Sequence, residues 1–165
     1  MTALRIERVG VARAGADGSA AESLVEDWRH VHNVIVPPAA LSPGEVRERA
    51  GRYHLEVAYL GDVLVGCTTV RPPEGAEATA TVIARVLPAH RRRGFGEQLH
   101  VRGLALAREL GARTIETVVL AANSEGLRFA RAHGYVEVDR YTLPGESDLW
   151  IDLRAGGGGP RTKED

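Results

Sequence analysis

A basic run that contains two glycines, residues 91–97 (RRRGFGE), joins an apolar segment to an amphipathic one. The apolar segment, 79–87, predicts a strand, and leucines recur at helical spacing from residue 95 to residue 110, which predicts a helix. A helix that begins directly after a strand and a glycine turn exposes unpaired backbone N–H groups, and its dipole adds partial positive charge. Three arginines add more. The run therefore predicts an anion site, most naturally one for phosphate or pyrophosphate.

Two other phosphate-binding motifs do not fit this run. A P-loop requires a lysine directly after its second glycine, and no lysine follows Gly96. A dinucleotide fingerprint requires a third glycine at position 99, which is Leu99, and a βαβ unit near the start of the fold. Both motifs are excluded.

Residues 91–96 (RRRGFG) resemble the acetyl-CoA-binding motif of the GNAT superfamily of N-acetyltransferases, which reads Arg/Gln-x-x-Gly-x-Gly/Ala. The strand that ends at residues 86–88 (VLP), and Asn123 and residues 133–135 (HGY) further on, agree with the family pattern. The resemblance covers residues 4–153. It implies acetyl-CoA as co-substrate and transfer of its acetyl group to a primary amine by direct attack in a ternary complex.

The resemblance also implies which residues hold acetyl-CoA. The glycine run would bind the phosphates through backbone N–H groups and arginine side chains: Arg91, Arg92, Arg93, Gly94, Phe95, Gly96 and Glu97. The preceding strand would pair with the pantetheine amides through Ala84, Arg85 and Val86, and the Val86 N–H would donate to the thioester carbonyl oxygen. Asn123 and Phe129 would also contact the cofactor, although the position of Asn123 is equally typical of a helix N-cap.

The residues that would move protons depart from the family pattern. The glutamate that is the base in many members corresponds to Val118, so we take Glu116 as the candidate base, two residues earlier on the same strand face and about 6.6 Å away. The alternative is a structural glutamate paired with a nearby arginine. The tyrosine that is the frequent acid corresponds to Ala130, and Tyr141 is a weak substitute. These departures keep a second function open, a non-catalytic domain that binds or senses acyl-CoA.

The acceptor side carries no comparable motif. Residues of the first two predicted helices and the hairpin after them are candidates for lining its pocket: Trp28, His32, Tyr53 and Glu56. Trp28 and His32 lie four residues apart on an apolar helical stripe, so core packing is the alternative for both. His30 and His32 point to different helical faces, which does not suit a metal, and we expect no metal site. The sequence does not identify the amine.

Composition limits the partners and the compartment. The 165 residues are 26% charged and 44% hydrophobic, with a formal net charge of -1, which argues against bulk electrostatic binding to nucleic acid or a membrane. No apolar run approaches the ~20 residues that span a bilayer, and the first residues lack a signal-peptide pattern. A single cysteine, Cys67, cannot form an intramolecular disulfide. We therefore expect a cytoplasmic protein, and a homodimer stays open.

Periodicity and turn signals predict the elements that position these residues. Their order is β-αα-βββ-α-β-α-ββ, an α/β fold in which one mixed central sheet of about seven strands is flanked by about four helices, as in a GNAT-like domain. We expect one domain over residues 1–154. Residues 155–165, which include four consecutive glycines, are expected to form a flexible tail.

Overall fold

The computed structural model describes residues 3–10 and 18–156, so nearly all of the predicted tail lies outside the described residues. The described part forms seven strands and four α-helices in the predicted order. Their bounds are β1 (Arg5–Arg8), α1 (Gly18–Ile35), α2 (Pro43–Arg52), β2 (His54–Leu60), β3 (Val63–Glu74), β4 (Thr79–Val86), α3 (Phe95–Glu109), β5 (Thr114–Leu120), α4 (Ser124–Ala132), β6 (Tyr135–Thr142) and β7 (Leu149–Ala155), with 3-10 turns at Pro37–Ala39 and Pro88–His90. The predicted α/β class is confirmed.

One mixed sheet contains all seven strands, in the order β1-β2-β3-β4-β5-β7-β6. Neighbouring strands are antiparallel except β4 and β5, which are parallel. These two strands pair only from Thr79 to Thr81 and from Thr114 to Glu116, although β4 continues to Val86 and β5 to Leu120. Beyond the paired residues the strands diverge, and a gap opens in the middle of the sheet.

Side chains alternate between the two faces of the sheet, and each face is covered by a different pair of helices. On one face, α1 and α2 make their main contacts with β2, β3 and β4 around a core that includes Trp28 and Val57; we call it the α1/α2 face. On the other, α3 and α4 pack over β3, β4, β5 and β6 around Val82 and Leu153; we call it the α3/α4 face. A residue's register in its strand therefore decides which helices it meets.

Local sequence explains where α2 begins and how closely α3 packs. Ser42 accepts a hydrogen bond from the Glu45 N–H, and the Glu45 carboxylate accepts one from the Ser42 N–H, so the two residues form a capping box. In α3, a Cβ on Gly103 would lie 2.6 Å from Cγ1 of Val82. The glycine therefore allows the helix to approach β4 closely, which sets the position of the helix N-terminus beside the gap.

Candidate active site

A cavity of about 720 Å³ occupies the gap between β4 and β5. Its walls come from the diverging ends of the two strands, the N-terminus of α3 and one side of α4. At its far end lie Val36 and Trp150, which form a buried apolar cluster with Leu120. The cavity therefore extends through the sheet from the α3/α4 face toward the α1/α2 face.

The backbone of β4 presents hydrogen-bonding groups to this gap. The Leu87 N–H donates to the Val65 carbonyl in β3, at 2.9 Å. Because successive residues of a strand point their N–H and C=O groups to opposite sides, Val86 and Ala84 point theirs into the gap. The guanidinium of Arg91 donates to the Val86 carbonyl at 2.9 Å. Two of the three strand residues predicted to pair with a ligand are thus directed at the cavity.

Arg85 differs from its neighbours in both backbone and side chain. The same alternation turns its backbone toward β3, where a Cβ on Gly66 would collide with the Arg85 carbonyl oxygen. Its side chain lies on the α1/α2 face, opposite Cys67, and lines the cavity from there. Burial lowers the pKa of Arg85 to about 10. The backbone of Arg85 is therefore not directed at the cavity, which the residue meets with its side chain, and its contact with the cofactor stays a prediction.

The N-terminus of α3 lies at the mouth of the cavity. Gly94 precedes it in a left-handed conformation, with φ of 84°, and supplies no side-chain cap. The first backbone N–H groups of the helix, those of Phe95, Gly96 and Glu97, have no acceptor one turn earlier within the helix. A Cβ on Gly96 would lie 3.4 Å from Phe129, so the glycine keeps this mouth open between α3 and α4. Unpaired N–H groups at a helix N-terminus favour an anion, so the arrangement is compatible with the predicted phosphate site.

The three arginines of the glycine run have different surroundings. Arg91 links the end of β4 to α4, since it donates to the Val86 carbonyl and pairs with Glu125 at 2.6 Å. The guanidinium of Arg93 lies over the ring of Phe95, 5.0 Å from its centroid. Arg92 is exposed. Arg91 therefore positions the site, while Arg92 and Arg93 supply its open positive charge.

Two further predicted residues meet the cavity from α4. The Gly126 N–H donates to Oδ1 of Asn123 at 3.0 Å, so Asn123 is the N-cap of the helix. The cap uses Oδ1 and not Nδ2, and Asn123 lines the cavity. Its role as an N-cap is therefore compatible with the predicted contact to the cofactor. The ring of Phe129 forms part of the wall. Glu97 pairs through its carboxylate with His133 at 2.8 Å, which leaves its backbone N–H at the helix end.

Glu116, the candidate base, does not line the cavity. It occupies the last position at which β5 pairs with β4, and its carboxylate accepts hydrogen bonds from Arg154 at 2.7 and 3.0 Å. Glu116 is thus paired with a nearby arginine, which was the alternative predicted for this residue. Val118 and Ala130 do line the cavity, and neither side chain can carry a proton.

A carboxylate that sequence reasoning missed lies beside Val118. Asp152 is the register partner of Val118 in β7, so both side chains share the α1/α2 face. The Tyr141 hydroxyl donates to Asp152 at 2.9 Å. Burial, and after it the neighbouring charge of Glu116, raises the pKa of Asp152, and burial together with this hydrogen bond raises the pKa of Tyr141 to about 12. In the sequence, Asp152 is an acid within an apolar strand pattern, and this was the available signal. Which residues lie beside Asp152 depends on the strand order, which the sequence does not give.

The predicted acceptor residues are not brought together. Trp28 is fully buried, donates to the Thr68 carbonyl at 3.1 Å and stacks on His32 at 5.2 Å, so both are core residues. Burial, reinforced by the charges of nearby arginines, lowers the pKa of His32 to about 4. Tyr53 packs at the edge of the same core. Of these three predicted residues, Trp28 and His32 are buried and Tyr53 is partly exposed.

Glu56 was predicted beside these residues and lies on the opposite face. Its carboxylate accepts hydrogen bonds from Arg102 of α3 at 2.7 Å and pairs with His54 at 2.8 Å. Burial alone would raise the pKa of Glu56, but these two partners outweigh it and lower the value to about 2. The prediction that Glu56 lines the acceptor pocket is wrong, because alternation along β2 turns it toward α3.

Among residues 3–10 and 18–156, no helix is both long and apolar enough to cross a membrane. The same residues contain no group of three or more His, Cys, Asp or Glu side chains that could hold a metal ion.

Comparison with known proteins agrees with this geometry. Ard1 from Thermoplasma volcanium superimposes with a TM-score of 0.72 at 15% identity, covering 92% of this chain and 95% of that one. NAA60 from Arabidopsis thaliana, solved with a bisubstrate analogue, gives 0.69 at 14% identity, with 92% and 97% covered. A GNAT family acetyltransferase from Elizabethkingia anophelis, solved with acetyl-CoA bound, gives 0.63 at 15% identity, with 92% and 97% covered.

At these identities the likeness concerns the fold alone, and no curated protein matches the chain in sequence. The family model described as the acetyltransferase (GNAT) family matches residues 17–135, well over half of the chain. Together with the divergent strands and the glycine run, this match assigns the chain. It belongs to the GNAT family of acetyltransferases.

Proposed function

We propose that this protein transfers the acetyl group of acetyl-CoA to a primary amine by direct attack within a ternary complex. The observation that carries the proposal is the gap between β4 and β5, where strand backbone and a helix N-terminus face one cavity. The family supports acetyl transfer in general. The Elizabethkingia anophelis neighbour with acetyl-CoA and the Arabidopsis thaliana neighbour with a bisubstrate analogue support the donor and the ternary complex.

The donor would be held mainly by backbone groups. Its pyrophosphate accepts hydrogen bonds from the free N–H groups at the start of α3, and Arg92 and Arg93 add positive charge. The pantetheine amides pair with Ala84 and Val86 in the gap, as an added strand would. The Nδ2 amide of Asn123 donates to the same arm. Acetyl-CoA is thereby bound with its thioester inside the sheet.

The transfer needs one hydrogen-bond donor and one base. The amine nitrogen attacks the thioester carbonyl carbon, and the Val86 N–H stabilises the negative charge that forms on the oxygen. The amine proton passes to a carboxylate, the carbon–sulfur bond breaks, and the CoA thiolate leaves. A thiol of pKa ~8.5 is a good leaving group near neutral pH, so water suffices to protonate it. The absence of a tyrosine at Ala130 therefore does not prevent turnover.

Asp152 is a better candidate for the base than Glu116. An alkyl amine has a pKa of ~10.4, so most of it is protonated at pH 7 and a base is required. Arg154 holds the carboxylate of Glu116, whereas no arginine pairs with Asp152 in the described part of the chain and its pKa is raised. Asp152 also lies beside Val118, about 6.6 Å further toward the open end of the gap than Glu116.

Two measurements test the proposal. Acetyl-CoA should raise the melting temperature of the purified protein, because a ligand that binds only the folded state stabilises it. Thiol release with a panel of polyamines, amino acids, aminoglycosides and peptide N-termini should then identify at least one acceptor class. A thermal shift without turnover on any amine would favour the non-catalytic acyl-CoA-binding domain instead. Absence of any shift would overturn the donor site itself.

A further inference from the structure

Three arginines of different elements lie on the α1/α2 face beside the gap. Arg49 comes from α2, Arg71 from β3 and Arg85 from β4, and we call them the arginine cluster. Register places Arg85 opposite Cys67 and Arg71 opposite Thr81, so both strand residues share this face. The guanidinium of Arg71 lies over the ring of Tyr53, whose N–H donates to the Arg49 carbonyl, and the charges of Arg49 and Arg71 both lower the pKa of Arg85.

The cluster has no anionic partner among residues 3–10 and 18–156. None of its guanidinium groups forms a hydrogen bond or ion pair there, and Nε of Arg71 is buried without a hydrogen-bond partner. Arg71 instead lies over the ring of Tyr53, 5.2 Å from its centroid. The carboxylate of Glu45, which acts on Arg49, already accepts a hydrogen bond from the Ser42 N–H. A buried, unsatisfied cationic donor such as this Nε is costly, so an anion from outside would stabilise it.

Other partly buried arginines of the protein do have such partners. Arg91 pairs with Glu125 at 2.6 Å, and Arg154 pairs with Glu116 at 2.7 Å. The arginine cluster is therefore not explained by a general shortage of acids. His32, which lies near Arg85 and Arg49, contributes no positive charge near neutral pH, because its pKa is about 4.

The same face also carries negative charge. Asp152 has its pKa raised by burial and by the charges of Glu116 and Asp139, and the charge of Arg71 lowers it. Arg85 lines this end of the cavity, and so does Val118, the register partner of Asp152. A ligand with an anionic group at one end and an amine at the other would complement both charges.

We propose that the acceptor is a small amine that carries an anionic group, a carboxylate or a phosphonate as in amino acids and their analogues, and that the arginine cluster binds this group. The amino group then faces Asp152 and the thioester. The inference rests on the proposed function for the identity of the reaction, but the anion site itself can be measured without turnover.

The binding experiment uses the full chain with CoA present. The common amino acids, their carboxamides, aminomethylphosphonate and 2-aminoethylphosphonate are titrated by calorimetry. We expect at least one carboxylate or phosphonate probe to bind, and its carboxamide or uncharged amine counterpart to bind about 10- to 100-fold more weakly. Comparison of carboxylate with phosphonate identifies which anion the site prefers. A peptide with acidic residues at its second and third positions is titrated as well, because it represents a macromolecular acceptor instead of a small one.

Variants assign the binding to the cluster. Arg71→Met and Arg49→Met should each weaken the preferred probe about 10-fold or more, leave the Kd of acetyl-CoA unchanged and raise KM more than they lower kcat, while Arg71→Lys restores part of the affinity. Arg47→Gln is the matched control, because Arg47 is exposed on the same helix and pairs with Glu22.

The outcomes separate the two proposals. Failure of every anionic probe to bind, binding of the acidic peptide alone, or equal turnover of charged and uncharged amines would overturn the anionic acceptor and leave acetyl transfer intact. Binding of an anionic amine that depends on Arg71, without any thiol release, would support the anion site and count against the transferase.

Discussion

The two sides of the gap are built by different physical means. On the proposed donor side the groups at the cavity are mainly backbone groups of Ala84, Val86 and residues 94–97, shaped by two glycines. On the proposed acceptor side they are side chains of separate elements: Arg85 and Val118 line the cavity, and Asp152 is the register partner of Val118. The donor side is therefore formed mainly by one continuous segment of the chain, whereas the acceptor side depends on which strands become neighbours in the sheet.

Charge is also handled differently on the two sides. Arg92 and Arg93 of the donor side are exposed, so water screens them before a ligand binds. Arg85 and Arg71 of the acceptor side are partly buried and lack carboxylate partners in the described residues. A given charge change should consequently have stronger and more specific effects on the acceptor side, except where it falls directly at the helix N-terminus.

Aspartate at position 94 tests the donor side and should have the largest effect. It would place a carboxylate at the N-terminus of α3, where the pyrophosphate is proposed to bind. Since opposing like charges cost several kcal/mol, we expect the Kd of acetyl-CoA to rise roughly 1,000-fold or more in Gly94→Asp. Calorimetric titration with acetyl-CoA measures this directly.

Gly111→Asp is the matched control for that variant. Gly111 follows the other end of α3, has φ of 99°, and like Gly94 has open space where a Cβ would stand. The two variants therefore carry the same kind of backbone strain, but only Gly94→Asp approaches the proposed site. If both bind acetyl-CoA equally well, the donor site is not at this helix end.

Removal of one acceptor-side carboxylate should have the next largest effect. Asp152→Asn keeps an oxygen for the Tyr141 hydroxyl but cannot accept the amine proton, so we expect kcat to fall about 100-fold or more at unchanged Kd for acetyl-CoA. Glu116→Gln should lower kcat less than about 10-fold, because Arg154 already holds that carboxylate. Asp62→Asn, an exposed acid of the turn between β2 and β3, is the control. A larger loss in Glu116→Gln than in Asp152→Asn would return the role of base to Glu116.

The pH dependence of kcat/KM distinguishes Asp152 from Glu116 as the base. Burial raises the pKa of Asp152, and the protonated acid cannot act as a base. In the wild type, kcat/KM should therefore fall as the pH drops through this raised pKa. The acidic limb of the profile should be absent in Asp152→Asn and kept in Glu116→Gln.

The sequence predicted the fold, and the place of the glycine run at the start of a helix, because both depend on local signals. Hydrophobic periodicity, prolines and glycines determine the elements, and the run around Gly94 and Gly96 forms its site within one segment. The acceptor side depends on which strands become neighbours. Insertion of β7 between β5 and β6 brings Asp152 beside Val118, and nothing local to residue 152 indicates that position.

Errors in the predicted site have the same origin. Glu56 and Arg85 were assigned by their place along the chain, whereas the pleat of β2 turns the Glu56 side chain to the α3/α4 face and alternation along β4 turns the Arg85 backbone toward β3. A one-residue difference in register separates the two outcomes. Side-chain direction in a central strand was therefore the information that the sequence lacked.

His32 provides the smallest of the expected effects, on stability rather than on catalysis. Its pKa is about 4 in the folded protein, against about 6.5 unfolded, because burial and then the charge of Arg85 disfavour the protonated ring. The stability that it contributes is present above pH 6.5 and is lost as the pH falls toward 4. Between pH 7.5 and pH 5 the wild type should lose about 2 kcal/mol of unfolding free energy through this group, measured by urea unfolding.

His32→Gln should flatten this dependence of stability on pH, whereas His30→Gln, which changes an exposed histidine of the same helix, should retain it. If the unfolding free energy of His32→Gln depended on pH as strongly as that of the wild type, the folded protein would tolerate a protonated His32. The arginine cluster would then be better screened than its contacts indicate.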